Sequence, residues 1–119
     1  FLALNDMPIA MTAHIVYSAI DAIRPATLSS TVISKIIRGL LNFDGLLLSD
    51  DLGMKALEGS FSDRASSALS AGCDVVLHCS GILEEMYDVA EGTGPLKDQS
   101  LKRLEKALSF IDAKPLGFR

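Results

Sequence analysis

The chain has 119 residues and a net charge of −4, and 49% of its residues are hydrophobic. This length predicts at most one domain of modest size. Acidic and basic residues are interspersed without a basic stripe, which argues against nucleic acid as a partner. The longest apolar runs are far too short to span a membrane. The apolar content is high for a free-standing domain of this size, which predicts surfaces that another structure covers.

The first half of the chain predicts strand, helix and strand. Pro8–His14 fits a strand, because proline is tolerated at a first strand position. Apolar residues recur at helical spacing from Ile33 to Leu41, after a capping serine at position 29 or 30. Leu46–Leu48 then predicts a short buried strand, followed by Ser49-Asp50-Asp51.

The second half continues the same alternation. The pattern predicts a helical turn over Met54–Leu57, a helix from the cap Ser62 to Gly72 and a strand over Asp74–Cys79. A helix over Ile82–Ala90 and a break over Glu91–Pro95 follow. The last predicted helix covers Leu101–Ile111 and ends before Lys114-Pro115. Short apolar strands separated by helices predict an α/β fold with a parallel sheet. Three strands are too few for a complete doubly wound domain, but they fit three consecutive units of a (β/α)₈ barrel, which needs about 250 residues.

The two cysteines and the first residues bear on the compartment. Cys73 and Cys79 lie six residues apart in one predicted strand, too far apart for a disulfide. We therefore expect free, buried thiols, which suit a reducing cytoplasm. Phe1–Leu4 lacks the cationic segment and the full apolar core of a signal peptide, and it reads as a chain cut into rather than begun.

Asp50 is the leading candidate for chemistry, because α/β folds place catalytic groups at the carboxyl ends of buried strands. The simpler interpretation makes it a helix N-cap. Asp51 points elsewhere on the strand, so it caps the helix or lines the rim of the cleft. His14 ends the neighbouring strand, where it either binds the carboxylate or a ligand hydroxyl or packs as a core histidine. We expect His78 to pack in the core or a loop, and Asp74 to cap the entry to its strand.

Four segments of the chain resemble the β-N-acetylhexosaminidases of glycoside hydrolase family 3, which are bacterial cytoplasmic enzymes of peptidoglycan recycling. In the order of the family, they are Met11-Thr12-Ala13-His14-Ile15-Val16-Tyr17, Pro25-Ala26-Thr27-Leu28-Ser29, Phe43 to Met54 (FDGLLLSDDLGM) and Ala71 to Cys79 (AGCDVVLHC). The third segment is the most specific. The resemblance implies a (β/α)₈ barrel, of which residues 1–119 form the C-terminal part, about the last three units.

The resemblance also implies a mechanism and a substrate. Asp50 matches the catalytic nucleophile of a retaining hydrolase, which forms a covalent glycosyl intermediate with a terminal β-linked N-acetylglucosamine. His14 and Asp51 are the implied substrate-binding residues, and the substrate is a muropeptide or chitooligosaccharide that contains this sugar. No metal or cofactor is implied.

One part of the family pattern has no match here. The general acid/base of the family is a His–Asp pair on an earlier loop with a Lys-His-Phe-Pro-Gly-His-Gly-like sequence. Because retaining hydrolysis needs a proton donor for the leaving oxygen, we expect this chain alone to be inactive. We also expect it to self-associate or to dock with the missing part of the barrel, because a partial barrel has open strand edges.

Two other classes and a metal site remain open at this point. A receiver-like phospho-acceptor domain fits the length and an Asp near position 50, but the first strand lacks the acidic pair that this class needs. A non-catalytic interaction fragment fits the apolar surfaces. A metal site built from His14, Asp50 and Asp51 matches no known ligand spacing.

Overall fold

A computed structural model describes residues 2–96 and 98–111 of the chain. Its regular elements are strands β1 (Ile9–Met11), β2 (Leu46–Asp51) and β3 (Val75–Leu77), a π-helix (Val32–Leu40), helices α1 (Phe61–Ala71), α2 (Leu83–Thr93) and α3 (Asp98–Ser109), and 3₁₀ turns at Leu2–Leu4 and Ala26–Leu28. The predicted α/β class is confirmed. The predicted Lys114-Pro115 end of the last helix lies outside the described residues.

The three strands form a parallel sheet in the order β1-β2-β3. Ile9 pairs with Leu46 and Met11 with Leu48, so consecutive strands are neighbours, as in successive β/α units. β1 is shorter than the predicted Pro8–His14, although the Thr12 amide still donates to the Leu48 carbonyl at 2.8 Å. β3 likewise covers only the centre of the predicted Asp74–Cys79.

The predicted amphipathic helix is present, but its hydrogen bonding is π-helical from Val32 to Leu40. Val32 and Ile33 are buried, and the Ser29 hydroxyl accepts a hydrogen bond from the Val32 amide at 3.1 Å. The predicted serine at the start of the helix is therefore Ser29. Ile33 lies in the core beneath α1, where a Cβ on Gly72 would approach its Cγ2 to 2.8 Å. The left-handed φ of +125° and this contact together explain the glycine that ends α1.

Residues 54–57 form a single turn, in which the Leu57 amide donates to the Met54 carbonyl at 3.3 Å, where the sequence predicts a helical turn. Two predicted boundaries were wrong. The cap of α1 is Ser60, whose side chain accepts from the Asp63 amide, and not Ser62. α2 continues to Thr93 through the predicted break, because Gly92 lets the helix backbone approach the Ser62 backbone of α1, where a Cβ would clash. A glycine there serves helix packing instead of ending the helix.

The helices cover one face of the sheet. Leu47, with the half-buried Ala10 and Val76, packs against the cluster of Ile33 and Ala68. On β1 the alternate residues Ile9 and Met11 are 48% and 52% exposed. This face is apolar and open; that another structure covers it stays a prediction. Within the described residues, no helix is long and apolar enough to cross a membrane.

Candidate active site

The carboxyl end of β2 carries both aspartates of the Ser-Asp-Asp segment. The strand runs to Asp51, three residues beyond the predicted Leu46–Leu48, so both carboxylates lie on its last residues. Ser49 is fully buried, donates to the Asp50 carbonyl at 2.8 Å and accepts from the Leu77 amide at 3.0 Å. Its hydroxyl thus takes the place of a backbone acceptor in the β2–β3 ladder. This explains why the register shifts between Leu48 and Asp51.

Asp50 keeps most of its hydrogen-bonding capacity free. Its Oδ1 accepts from the Asp51 amide at 2.8 Å, and the side chain is half-buried. Among residues 2–96 and 98–111, no arginine, lysine or histidine forms an ion pair with this carboxylate. A carboxylate can accept about four hydrogen bonds. Asp50 therefore has oxygen lone pairs available for a ligand.

Asp51 is held much more tightly. Its Oδ1 accepts from the Gly53 amide at 2.9 Å and from the Cys79 amide at 3.2 Å, and lies 3.7 Å from His78 Nδ1. These contacts tie the end of β2 to the residues that follow β3. The carboxylate thus fixes the backbone at this edge of the sheet; its contact with substrate stays a prediction.

His14 bridges two elements instead of binding the Asp50 carboxylate. Its Nδ1 lies 2.8 Å from Thr27 Oγ1, and its Nε2 lies 2.8 Å from the Asp51 carbonyl oxygen. Since a carbonyl only accepts, Nε2 carries a hydrogen. Thr27 is fully buried and also contacts Thr12 Oγ1 at 2.8 Å. A series of hydrogen bonds therefore runs from Thr12 through Thr27 and His14 to the backbone carbonyl of Asp51.

His78 is the site residue whose surroundings the sequence did not predict. Its side chain is 5% exposed, Nε2 lies 2.8 Å from Glu85 Oε2 and 2.9 Å from Ser80 Oγ, and the Phe61 ring packs on it at 4.7 Å. Hydrogen bonds from Ser80 and His78 lower the pKa of Glu85. The predicted packing role describes the Phe61 contact but omits the two carboxylates. The available signal was its position directly after β3, at the same edge as Asp50.

The amino end of the sheet contains a different carboxylate site. Asp74 is 4% exposed and accepts from the Leu47 amide, Arg38, Arg103 and Ser100 at 2.7 to 3.0 Å. Burial would raise the pKa of Asp74, but the hydrogen bonds from Ser100, Leu47 and Arg103 outweigh it and lower the pKa. The predicted role of Asp74 at the entry to β3 thus extends to a buried ion-pair network.

The cysteines are free, as predicted, but only one of them is buried. Burial raises the pKa of Cys73 to about 11, so its thiol is inert at neutral pH. Cys79 is exposed because β3 ends at Leu77, two residues earlier than needed to bury it. Among the described residues, no three His, Cys, Asp or Glu side chains are grouped to hold a metal, which includes the combination of His14, Asp50 and Asp51.

Sequence comparison relates this chain to known proteins. Residues 3–109 match the family described as "Glycosyl hydrolase family 3 N terminal domain". A Beta-hexosaminidase from Alkalilimnicola ehrlichii is 40% identical over 111 residues, which are 87% of this chain and 30% of that protein. A Beta-hexosaminidase from Shewanella frigidimarina is 51% identical over 71 residues, 58% of this chain and 20% of that protein. The chain thus spans about a third or less of its curated relatives.

Solved structures agree with the sequence relatives. A glycoside hydrolase family 3 beta-N-acetylglucosaminidase from Paenibacillus sp. superposes with a TM-score of 0.78 at 28% identity, covering 94% of this chain and 24% of that chain. The beta-N-acetylglucosaminidase from Thermotoga maritima gives a TM-score of 0.67 at 33% identity, with coverages of 86% and 25%. These matches argue against the receiver-like alternative. The chain belongs to glycosyl hydrolase family 3 and corresponds to part of its N-terminal domain.

Proposed function

We propose that this chain supplies the nucleophile segment of a retaining β-N-acetylhexosaminidase. The observation that carries the proposal is the Asp50 carboxylate, which is half-buried at the carboxyl end of a central strand and, among the residues that the structure describes, accepts one hydrogen bond, from the Asp51 amide. The names of the relatives, beta-hexosaminidase and beta-N-acetylglucosaminidase, support N-acetylglucosamine as the sugar. In this account residues 1–119 form the C-terminal three units of the catalytic barrel.

In the proposed reaction, an oxygen of Asp50 bonds to the anomeric carbon while the bond from that carbon to the leaving oxygen breaks. The leaving oxygen takes a proton from an acid outside this chain, as the family resemblance implies. Water then attacks the anomeric carbon, its proton goes to the same acid/base group, and the Asp50 carboxylate is released with net retention. An ionised carboxylate suits this step, because positive charge develops on the sugar ring in the transition state.

The neighbouring residues have supporting roles in this proposal. His14 and Asp51 line the rim of the sugar site, and their hydrogen bonds fix the backbone around Asp50. Because the ring nitrogens of His14 already contact Thr27 and the Asp51 carbonyl, a sugar hydroxyl would have to share one of these partners. Asp51 offers its second oxygen, since the described contacts all involve Oδ1. The substrate is a muropeptide or chitooligosaccharide that ends in N-acetylglucosamine, and the reaction belongs to peptidoglycan recycling in the cytoplasm.

A segment graft tests this function. The aligned segment of the Alkalilimnicola ehrlichii enzyme is replaced by this chain, and hydrolysis of an aryl N-acetyl-β-glucosaminide is followed by NMR. The proposal predicts that the β-anomer appears first and that Asp50→Asn abolishes turnover. An α-anomer as the first product, or an active Asp50→Asn graft, would contradict it.

The same assay tests whether the chain works alone. Residues 1–119 contain no match to the acid/base segment of the family, so we expect no turnover from the chain by itself. Adding the preceding barrel units of the relative as a separate polypeptide is expected to restore hydrolysis. Full activity of the isolated chain would show that its proton donor lies among these residues.

A further inference from the structure

The imidazole of His78 lies between two carboxylates that belong to different elements. Its Nε2 is 2.8 Å from Glu85 Oε2 on α2, and its Nδ1 is 3.7 Å from Asp51 Oδ1 on β2. The side chain is 5% exposed, so water has little access to either nitrogen. Within the described part of the chain, Nδ1 is buried and has no hydrogen-bond partner.

The protonation state of the ring decides whether this arrangement is attractive. An ionised Glu85 only accepts, so Nε2 carries a hydrogen and donates to it. In a neutral ring, Nδ1 would then direct a lone pair at the negative Asp51 oxygen. In an imidazolium, Nδ1 carries a hydrogen and faces the same oxygen as a donor. With the Nε2 hydrogen donated to Glu85, only the imidazolium directs a second hydrogen, on Nδ1, across the 3.7 Å to Asp51 Oδ1.

The charges around the ring come from three elements. Asp51 on β2 and Glu85 on α2 each place a carboxylate oxygen toward one ring nitrogen. On α1, the Phe61 ring packs on the imidazole at 4.7 Å, and the Arg64 guanidinium lies 5.0 Å from the centre of that ring, on a side chain that donates to the Leu52 carbonyl. Arg64 opposes the positive charge, but two carboxylates face the imidazole directly.

Asp51 connects this ring to Asp50 through one peptide group. The backbone amide of Asp51 donates to Asp50 Oδ1 at 2.8 Å, and the Asp51 carbonyl accepts from His14 Nε2. We propose that His78 is a positioning residue, whose protonated ring binds the Asp51 carboxylate and so fixes the amide that orients Asp50. The consequence for catalysis rests on the proposed role of Asp50, whereas the contact itself does not.

NMR titration of the labelled 119-residue chain tests the contact without any substrate. The amides of Gly53 and Cys79 both donate to Asp51 Oδ1, so they report the position of that carboxylate. We expect both amides, together with that of Asp51, to shift in step with the protonation of the His78 ring. Amides that do not follow the ring would overturn the inference.

Two variants separate this link from a merely structural role. His78→Gln cannot become charged, so the coupled shift of the amides should disappear. Glu85→Gln removes the negative charge that faces Nε2, so the coupled shift of the amides should weaken. Glu84→Gln changes an exposed neighbour on the same helix and should leave the titration unchanged. Because Glu85 lies on the helix surface, its variant remains informative if His78→Gln does not fold.

The effect on Asp50 is measured in the graft enzyme. His78→Gln should lower kcat about tenfold with little change in KM, because the group acts on orientation and not on binding. If the amides follow the His78 ring but Asp50 is not needed for turnover, only the proposed function is refuted. If Asp50 is needed for turnover but the amides do not follow the ring, only the role of His78 is refuted.

Discussion

At the amino end of the sheet Asp74 is bound by two arginines, whereas at the carboxyl end Asp50 accepts only a backbone amide within the described residues. The two carboxylates lie on or beside the same pair of strands. Burying a charge is costly unless it is paired and hydrogen-bonded, and Asp74 meets this condition with four donor groups. One end of the sheet therefore holds the fold together, while the other leaves a carboxylate available for chemistry.

The largest expected effect comes from neutralising the free carboxylate. In the graft enzyme Asp50→Asn should lower kcat/KM by at least about a thousandfold, because the nucleophilic oxygen and its charge are lost. Its free energy of unfolding should change by less than about 0.5 kcal/mol, since no ion pair is broken. Asp6→Asn, at the amino end of the sheet, serves as the control in the same kinetic assay and should match the parent.

Neutralising the paired carboxylate should have the opposite profile. Asp74→Asn leaves Arg38 and Arg103 without their shared partner and should lower the free energy of unfolding of the chain by about 3 kcal/mol. Urea unfolding at pH 7 measures the loss. Asp44→Asn is the control, because Asp44 pairs with the same Arg103 at 3.0 Å but is 73% exposed, so its loss should cost under about 1 kcal/mol. Equal losses would show that burial does not decide the difference.

The same ion pair makes stability depend on acid pH. The folded pKa of Asp74 lies below its unfolded value of about 3.9, so its stabilisation is complete at neutral pH and is lost as pH falls through the folded pKa. The stability difference between the parent chain and Asp74→Asn should therefore shrink below about pH 4. A difference that stays constant down to acid unfolding would assign the stabilisation to another group.

An intermediate effect is expected from the buried hydroxyl behind His14. Thr27→Val keeps the shape but leaves Thr12 Oγ1 and His14 Nδ1 without their partner, which should cost about 2 kcal/mol. Chemical unfolding gives the value. Thr93→Val changes a half-buried hydroxyl at the end of α2 and should cost under about 0.5 kcal/mol. If both variants lose the same amount, the Thr12–Thr27–His14 chain does not support the site.

The smallest effect distinguishes two candidate caps. Ser60→Ala removes the side chain that accepts from the Asp63 amide and should destabilise the chain by about 1 kcal/mol. Ser62→Ala, at the cap position that the sequence pattern favoured, should have a smaller effect, which thermal unfolding can resolve. The reverse order would place the start of α1 two residues later.

Much of the fold followed from local patterns, and the errors have a common cause. Alternating apolar segments predicted the three parallel strands and the helices between them, and the SDDL segment predicted which strand end carries the free carboxylate. Gly92 continues α2 because of its contact with Ser62, and Cys79 is exposed because β3 ends early. Such features depend on tertiary packing, which the periodicity of a single segment does not encode.

The partners of the site residues were harder to predict than their positions. His14 and Asp51 were identified as neighbours of Asp50, but the bond from His14 to the Asp51 carbonyl depends on backbone geometry at a bulge. His78 was assigned to packing, and its approach to Glu85 requires the docking of α2 against α1. Distances across elements decide these contacts, and a single sequence gives no direct information on them.

Covalent trapping identifies the residue that attacks the sugar. The graft enzyme is treated with a 5-fluoro-N-acetylglucosaminyl fluoride, whose fluoride leaves with little help from an acid and whose ring fluorine slows hydrolysis of the intermediate. Intact mass and peptide mapping should locate one sugar on Asp50, and Asp50→Asn should remain unlabelled. A sugar bound to Asp51 or to any other residue, with Asp50 unmodified, would contradict the account.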